Sequence, residues 1–232
     1  MSDDLRRLAR DSLVFNAPLS EERAADLVER LALAPGGHVL DLACGRAELL
    51  LRVVAAHPGT TGTGVDTDRA ALDRARARAA VLRLLDRVDL VEADATTFGD
   101  RGDVVLCVGA SHAWGGTDAA LAALAGFLQP GGLLLHGDGF WAAEPGDEAR
   151  ALFGDLPAGL EGLTAAAGRA GLRIVHADAS SAAEWDAFES GWRDGLLRSG
   201  RPEAVAFARE RRREYEQVYR GVLGFGWLVL GQ

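Results

Sequence analysis

Short apolar runs alternate with stretches whose apolar positions recur at three- and four-residue spacing. The runs 38–42, 61–65, 88–92 and 103–108 read as strands, and the periodic stretches 46–56, 68–82 and 118–128 read as helices between them. Near-continuous apolar strands separated by covering helices are the signature of a parallel sheet, so the pattern predicts a doubly wound α/β fold. A fifth strand is expected at 132–137, introduced by Pro130-Gly131-Gly132, and a sixth at 171–178 after a helix near 160–169. The region 183–215 is predicted helical, with a Gly-Arg-Pro interruption at Gly200 to Pro202, and Gly224 to Leu230 supplies a final apolar strand. Upstream, Leu5 to Phe15 and Glu21 to Leu33 read as helices, the second capped by Ser20 and stopped by Pro35-Gly36-Gly37.

Length and composition narrow this picture. A chain of 232 residues sustains one substantial core, and no linker or charge block divides it. The formal net charge of -9 disfavours a general attraction to nucleic-acid phosphate and favours a small-molecule partner. Arg211, Arg212 and Arg213 form the one compact basic run, but Glu210, Glu214 and Glu216 surround it, and it reads as a solvated helix face. The two cysteines, Cys44 and Cys107, match no metal-ligand or disulfide framework and fit a reducing cytoplasm. The charged start, Met1 to Arg10, lacks the order of a signal peptide, and no apolar run reaches transmembrane length, so a soluble protein is expected.

The most informative segment is His38 to Leu49. An apolar strand enters a small-residue turn that can bring main chain against a ligand, with Asp41 at its lip and a helix beyond. Val39-Leu40-Asp41-Leu42-Ala43-Cys44-Gly45 resembles the first motif of class I S-adenosylmethionine-dependent methyltransferases of the small-molecule type. Ala47 stands where that family commonly has another glycine, which narrows the backbone freedom of the turn. Asp66 closes the second strand in Gly62-Thr63-Gly64-Val65-Asp66, where an acidic side chain can accept from both hydroxyls of a ribose. Asp94, in Val91-Glu92-Ala93-Asp94-Ala95-Thr96, matches the acidic residue that addresses the adenine amino group in this family. Leu106 to Ala110 resembles the mouth of the fourth strand, where main-chain oxygens lie near the methionine portion.

The resemblance covers residues 36–138 and, by topology, the last strand. It implies a three-layer, doubly wound, seven-stranded and mostly parallel sheet, with the last strand antiparallel and helical lid elements added. Residues 1–35 would form an N-terminal helical cover, 36–138 the cofactor-binding core, and 139–232 the substrate-side helices and closing strands. The implied cofactor is S-adenosyl-L-methionine, released as S-adenosyl-L-homocysteine. Its implied contacts are Asp41, Ala43, Cys44, Gly45, Arg46, Asp66, Thr67, Asp94, Ala95, Val108 and Gly109.

Several of these residues keep a plainer reading. Asp41 could merely end a strand, Asp94 could start a turn with Thr96 and Thr97, and Arg46 could be a surface arginine. On the acceptor side, His112 and Asp138 are the candidate proton acceptors, with pocket wall and turn residue as their alternatives. Phe15, Asn16, Trp114, Trp141 and Trp185 are the further substrate-contact candidates. Trp185, Phe188 and Trp192 share one helix face, a spacing that ordinary core packing also produces. His136 lies within an apolar strand and reads as a satisfied core histidine. No metal site is expected.

The implied activity is direct in-line methyl transfer to a small acceptor. A nicotinamide-dependent oxidoreductase is the rival enzyme, although the turn lacks Gly-x-Gly-x-x-Gly, and a non-catalytic S-adenosylmethionine-binding scaffold is the other rival. Phe225, Trp227 and Leu228 would either pack internally or serve a subunit contact, which leaves a homodimer open.

Overall fold

The computed structural model describes residues 3–232; Met1 and Ser2, which begin the charged N-terminal stretch, lie outside the described residues. Seven strands form one sheet in the order β3-β2-β1-β4-β5-β7-β6: β1 His38–Leu42, β2 Thr61–Asp66, β3 Val88–Glu92, β4 Gly102–Val108, β5 Leu128–Trp141, β6 Arg173–Ala179 and β7 Leu223–Gly231. The first five run parallel, and β7 pairs antiparallel with both β5 and β6. The order reverses between β1 and β4, so their carboxyl ends open a crevice at the point where doubly wound sheets hold ligands.

Helices α2 (Glu21–Arg30), α3 (Glu48–Ala56) and α4 (Arg69–Val81) cover one face through Leu27, Leu50, Val53 and Ala75. Helices α5 (Thr117–Ala125) and α7 (Gly159–Arg169) cover the other through Leu121, Leu124, Leu163 and Ala167. A separate apolar cluster joins α1 (Asp3–Arg10), α8 (Ala182–Arg198) and α9 (Pro202–Glu214) through Leu5, Trp192, Leu196 and Ala208. A short helix, α6 (Asp147–Phe153), and a π-turn at Tyr215–Tyr219 complete the helical elements. Among the described residues no helix is long and apolar enough to cross a membrane.

Three departures from the sequence reading have physical causes. The first helix stops at Arg10 rather than Phe15. Residues 11–19 are drawn across the strand ends instead, with the Ser12 hydroxyl donating to the Gly191 carbonyl at 2.6 Å and Arg46 donating to the Leu13 carbonyl. β5 begins at Leu128 and runs to Trp141, because β7 pairs with it from Leu133 to Trp141. Pro130 is tolerated there because the register against β4 shifts between Gly102 and Val104, and a bulge needs no donor at every position. The second helix ends at Arg30, its last turn closed by the Leu31 N–H donating to the Val28 carbonyl. Phe225, Trp227 and Leu228 are buried within the sheet, which resolves their role in favour of internal packing.

Candidate active site

The turn after β1 is built by three left-handed residues: Ala43 (φ 59°), Gly45 (φ 55°) and Ala47 (φ 54°). Glycine adopts this conformation freely, but each alanine sets its Cβ against the following carbonyl. Ala47 thus performs with strain what glycine would perform without it, as the first residue before α3. The turn is fastened to β2. The Cys44 N–H donates to the Val65 carbonyl at 3.0 Å, and the Gly45 N–H donates to Asp66 Oδ2 at 2.7 Å. The other Asp66 oxygen accepts from the Asp68 N–H at 2.8 Å, leaving the N-cap of α4 to Asp68. Cys44 packs toward β2, where a Cβ added at Gly64 would meet its Sγ at 3.0 Å, and burial raises its thiol pKa. It is a packing residue with no activated thiolate.

Asp41 lies beneath this turn, 6% exposed, and has no hydrogen-bond or ion-pair partner among the described residues. Burial, and then the neighbouring charge of Asp66, push its carboxyl pKa up to about 8. A carboxyl buried without a cation is costly to ionise, and a cationic ligand group removes that cost. It borders a narrow cavity of about 120 Å³ together with Gly45, Val108, Phe15 and Asn16. A wider cavity of about 720 Å³ adjoins Gly45, Arg46 and Thr67 under the arginines of α1 and Arg74. Asp94 stands outside these cavities. Its Oδ1 accepts from the Thr96 N–H at 2.8 Å and from the Thr96 hydroxyl at 2.7 Å, bonds that hold the carboxyl below its ordinary value. Ala95 is buried against the α5 face.

A third cavity, of about 520 Å³, opens on the far side of β4. Gly109, His112 and Asp138 border it, as do Trp185 and Phe188 from α8; Asn16 reaches all three cavities. Asp138 Oδ2 accepts from the Thr117 hydroxyl at 2.9 Å and Oδ1 from the Gly139 N–H at 2.8 Å. Behind it lies His136, fully buried, with Nε2 at 3.8 Å from Asp138 Oδ2. Burial lowers the pKa of the imidazole against the pull of Asp138.

The comparisons with known proteins agree with this geometry. Residues 40–134 match a methyltransferase domain family. A solved S-adenosylmethionine-dependent methyltransferase from Geobacter sulfurreducens, in complex with S-adenosylhomocysteine, superposes with a TM-score of 0.86 at 28% identity, covering 99% of this chain and 98% of that one. The chain has the class I S-adenosylmethionine-dependent methyltransferase fold. The uncharacterized protein YjhP of Escherichia coli is 37% identical over 133 residues, which is 56% of this chain and 53% of that protein. The crystal structure of YjhP superposes with a TM-score of 0.85 over 97% of this chain and 98% of that one. Trans-aconitate 2-methyltransferase of Paracidovorax citrulli is 34% identical over 48% of this chain and 42% of that enzyme. The alignments thus span about half the length of these curated relatives.

On this methyltransferase fold the sequence candidates divide clearly. Asp41, Ala43, Cys44, Gly45, Arg46 and Val108 meet around the narrow cavity, and Thr67 borders the wider one. Phe15 borders the narrow cavity, with the Arg52 guanidinium 4.6 Å from its ring, and does not border the third cavity. Trp114 packs against the α5 face and Trp141 is buried edge-on to Phe153 at 6.3 Å, so neither borders a cavity. Trp192 packs with α1 and α9, away from the cavity, despite sharing a helix face with Trp185. His136 is buried as expected, with Asp138 as its nearest charged neighbour.

Arg211 also departs from the solvated face assigned to its run. It turns inward to the fully buried Glu189, while Arg212 and Arg213 stay exposed. Phe153 and Thr117 border the third cavity without having been singled out, and Phe225 and Arg211 border it although the sequence reading gave them a packing or subunit contact and a solvated face. Phe153 rides on α6, whose Gly146-Asp147-Glu148 start was the one local signal for it.

Proposed function

We propose that this protein transfers a methyl group from S-adenosyl-L-methionine to a small-molecule acceptor. The observation that carries the reading is Asp41: a buried carboxyl that borders a cavity, next to Asp66, with no ion pair to either acid among the described residues. Two neighbouring acidic side chains, one of them buried, suit a ligand that brings an ammonium and a sulfonium with it. The S-adenosylhomocysteine bound by the Geobacter protein, matched over nearly the whole chain, supports the same cofactor here.

In this reading Asp41 takes the α-ammonium of the cofactor and Asp66 accepts from its ribose hydroxyls. Arg46 meets its carboxylate, Val108 and Gly109 offer main-chain oxygens to its methionine part, and Thr67, Asp94 and Ala95 serve the ribose and adenine end. The bound cofactor supplies a methyl group already activated on sulfur, leaving as S-adenosylhomocysteine. The chain therefore needs no covalent nucleophile. Asn16 and Phe15 close the roof, the acceptor-side cavity excludes water and aligns the acceptor, and His112 or Asp138 accepts its proton where one must leave. Residues 1–35 then act as cover, 36–138 as cofactor core and 139–232 as acceptor side. A reducing compartment suits the free thiols of Cys44 and Cys107.

Calorimetric titration of the stripped protein with S-adenosylmethionine, S-adenosylhomocysteine and NAD tests the reading. The first two are expected to bind and NAD is not; NAD binding alone would reject it. Asp66→Ala is expected to weaken cofactor binding at least about ten-fold, the loss of one charged hydrogen-bonding group.

A further inference from the structure

The acceptor-side cavity is more negative than a count of its bordering charges suggests. Arg211 is the one guanidinium on its wall, and that charge is already spent: Nε and Nη2 donate to the two oxygens of Glu189 at 3.0 and 2.7 Å. The Tyr219 hydroxyl donates to the same carboxylate at 2.9 Å, and the guanidinium lies 4.9 Å from the Trp192 ring and 5.3 Å from the Tyr219 ring. Asp138 and Asp155 have no such partner. Thr117 and Gly139 orient the Asp138 carboxylate without neutralising it, and Asp155 has no ion pair among the described residues. His136, the titratable group behind Asp138, is fully buried and kept neutral.

Two further observations point to a cation as the occupant. Phe153, Trp185, Phe188 and Phe225 border the same cavity, and the Trp185 and Phe188 rings pack edge to face at 78°. An aromatic lining attracts an alkylammonium through its ring faces and repels a carboxylate. Ser111 borders the cavity as well. It is 3% exposed and its hydroxyl has no hydrogen-bond partner among the described residues, so its oxygen can accept from an ammonium N–H.

We propose that the acceptor is an amine, bound as a cation between the Asp138 carboxylate and the aromatic wall, which passes a proton to Asp138 so that its nitrogen lone pair can form the new N–C bond as the S–C bond of the sulfonium breaks and S-adenosylhomocysteine leaves. This rests on the methyl-transfer reading and names the substrate class of that site. A carboxylate acceptor would face Asp138 and Asp155, and the one guanidinium bordering the cavity among the described residues is already paired with Glu189.

The test titrates the full-length protein, saturated with S-adenosylhomocysteine, with 2-phenylethylammonium, 2-phenylethanol and phenylacetate, probes of similar shape and different charge. The ammonium is expected to bind at least about ten-fold more tightly than the alcohol, and phenylacetate more weakly than both. Asp138→Asn, with S-adenosylhomocysteine binding as its check of folding, is expected to bring ammonium and alcohol within about two-fold of each other. If the wild-type protein does not bind S-adenosylhomocysteine, the methyl-transfer reading falls and this proposal with it. If it does, and the ammonium binds no better than the alcohol or phenylacetate binds best, this proposal alone is overturned. The wild-type comparison decides the matter even where the variant does not fold.

Discussion

Asp41 couples proton and ligand. Its folded pKa of about 8 lies far above the ordinary 3.8, so between those values the folded protein holds a proton that the unfolded chain has released. Stability of the unliganded protein is therefore expected to fall as pH rises from about 4 to about 8 through this group, and Asp41→Asn should flatten that component in urea titrations at fixed temperature. A cation beside Asp41 favours the ionised form, so affinity for S-adenosylmethionine should rise from about pH 6 to about pH 8, with proton release seen as a dependence of binding enthalpy on buffer. An Asp41→Asn protein with the wild-type pH dependence would remove Asp41 from the cofactor site. Ala47 makes a second prediction at this scale. A left-handed alanine costs about 1–2 kcal/mol, and the extra chain entropy of glycine returns part of it. Ala47→Gly should thus stabilise by about 0.5–1 kcal/mol in urea unfolding, whereas the usual exchange of alanine for glycine in a helix destabilises.

Between elements, Glu184 is the principal tie. It closes the capping box of α8 with Ser181 and accepts from the Ser20 N–H at 3.1 Å and from Arg23 Nε at 2.8 Å, which fixes α8 to the start of α2. Burial opposes the charge, but the hydrogen bonds from Arg23, Ser181 and Ser20 outweigh it and pull the carboxyl down to about 2. The stability this group supplies is present above the ordinary 4.5 and is lost as pH falls toward 2. Glu184→Ala is expected to cost about 2–3 kcal/mol at neutral pH, from a lost cap and a half-buried Arg23 left without its bidentate partner. The gap in urea midpoint between wild type and variant should narrow below about pH 4.5. Since α8 also carries Trp185 and Phe188, loosening this tie should weaken acceptor probes more than S-adenosylhomocysteine.

At the scale of the whole molecule, the α1, α8 and α9 cluster is separate from the two cores that sandwich the sheet. Clusters with their own small core open at lower free energy than the sheet they flank. Hydrogen exchange should therefore be faster in α1 and in residues 11–19 than in β1, β4 and β5, and cofactor should slow it in 11–19. Gly195→Ala tests the docking: a Cβ there would stand 2.1 Å from the Leu8 carbonyl oxygen, so α1 must move away. Faster exchange over α1 and weaker cofactor binding with an unchanged far-ultraviolet spectrum is expected; unchanged exchange would show that α1 is not seated by this contact. What the sequence determined by itself was whatever rests on neighbours in the chain. The runs of β1 to β4, the small-residue turn at Ala43 to Ala47 and the strand-end acids Asp41 and Asp66 were legible because strand pairing of consecutive units places them side by side. Tertiary structure alone decided the rest. Pairing with β7 lengthened β5, contacts to Gly191 and Arg46 unwound the chain after Arg10, and Phe153, Thr117, Arg211 and Trp185 reached one cavity from four separate helices. Periodicity reports which residues share a face but not what that face meets. That is why Trp192 reads like Trp185 and packs elsewhere.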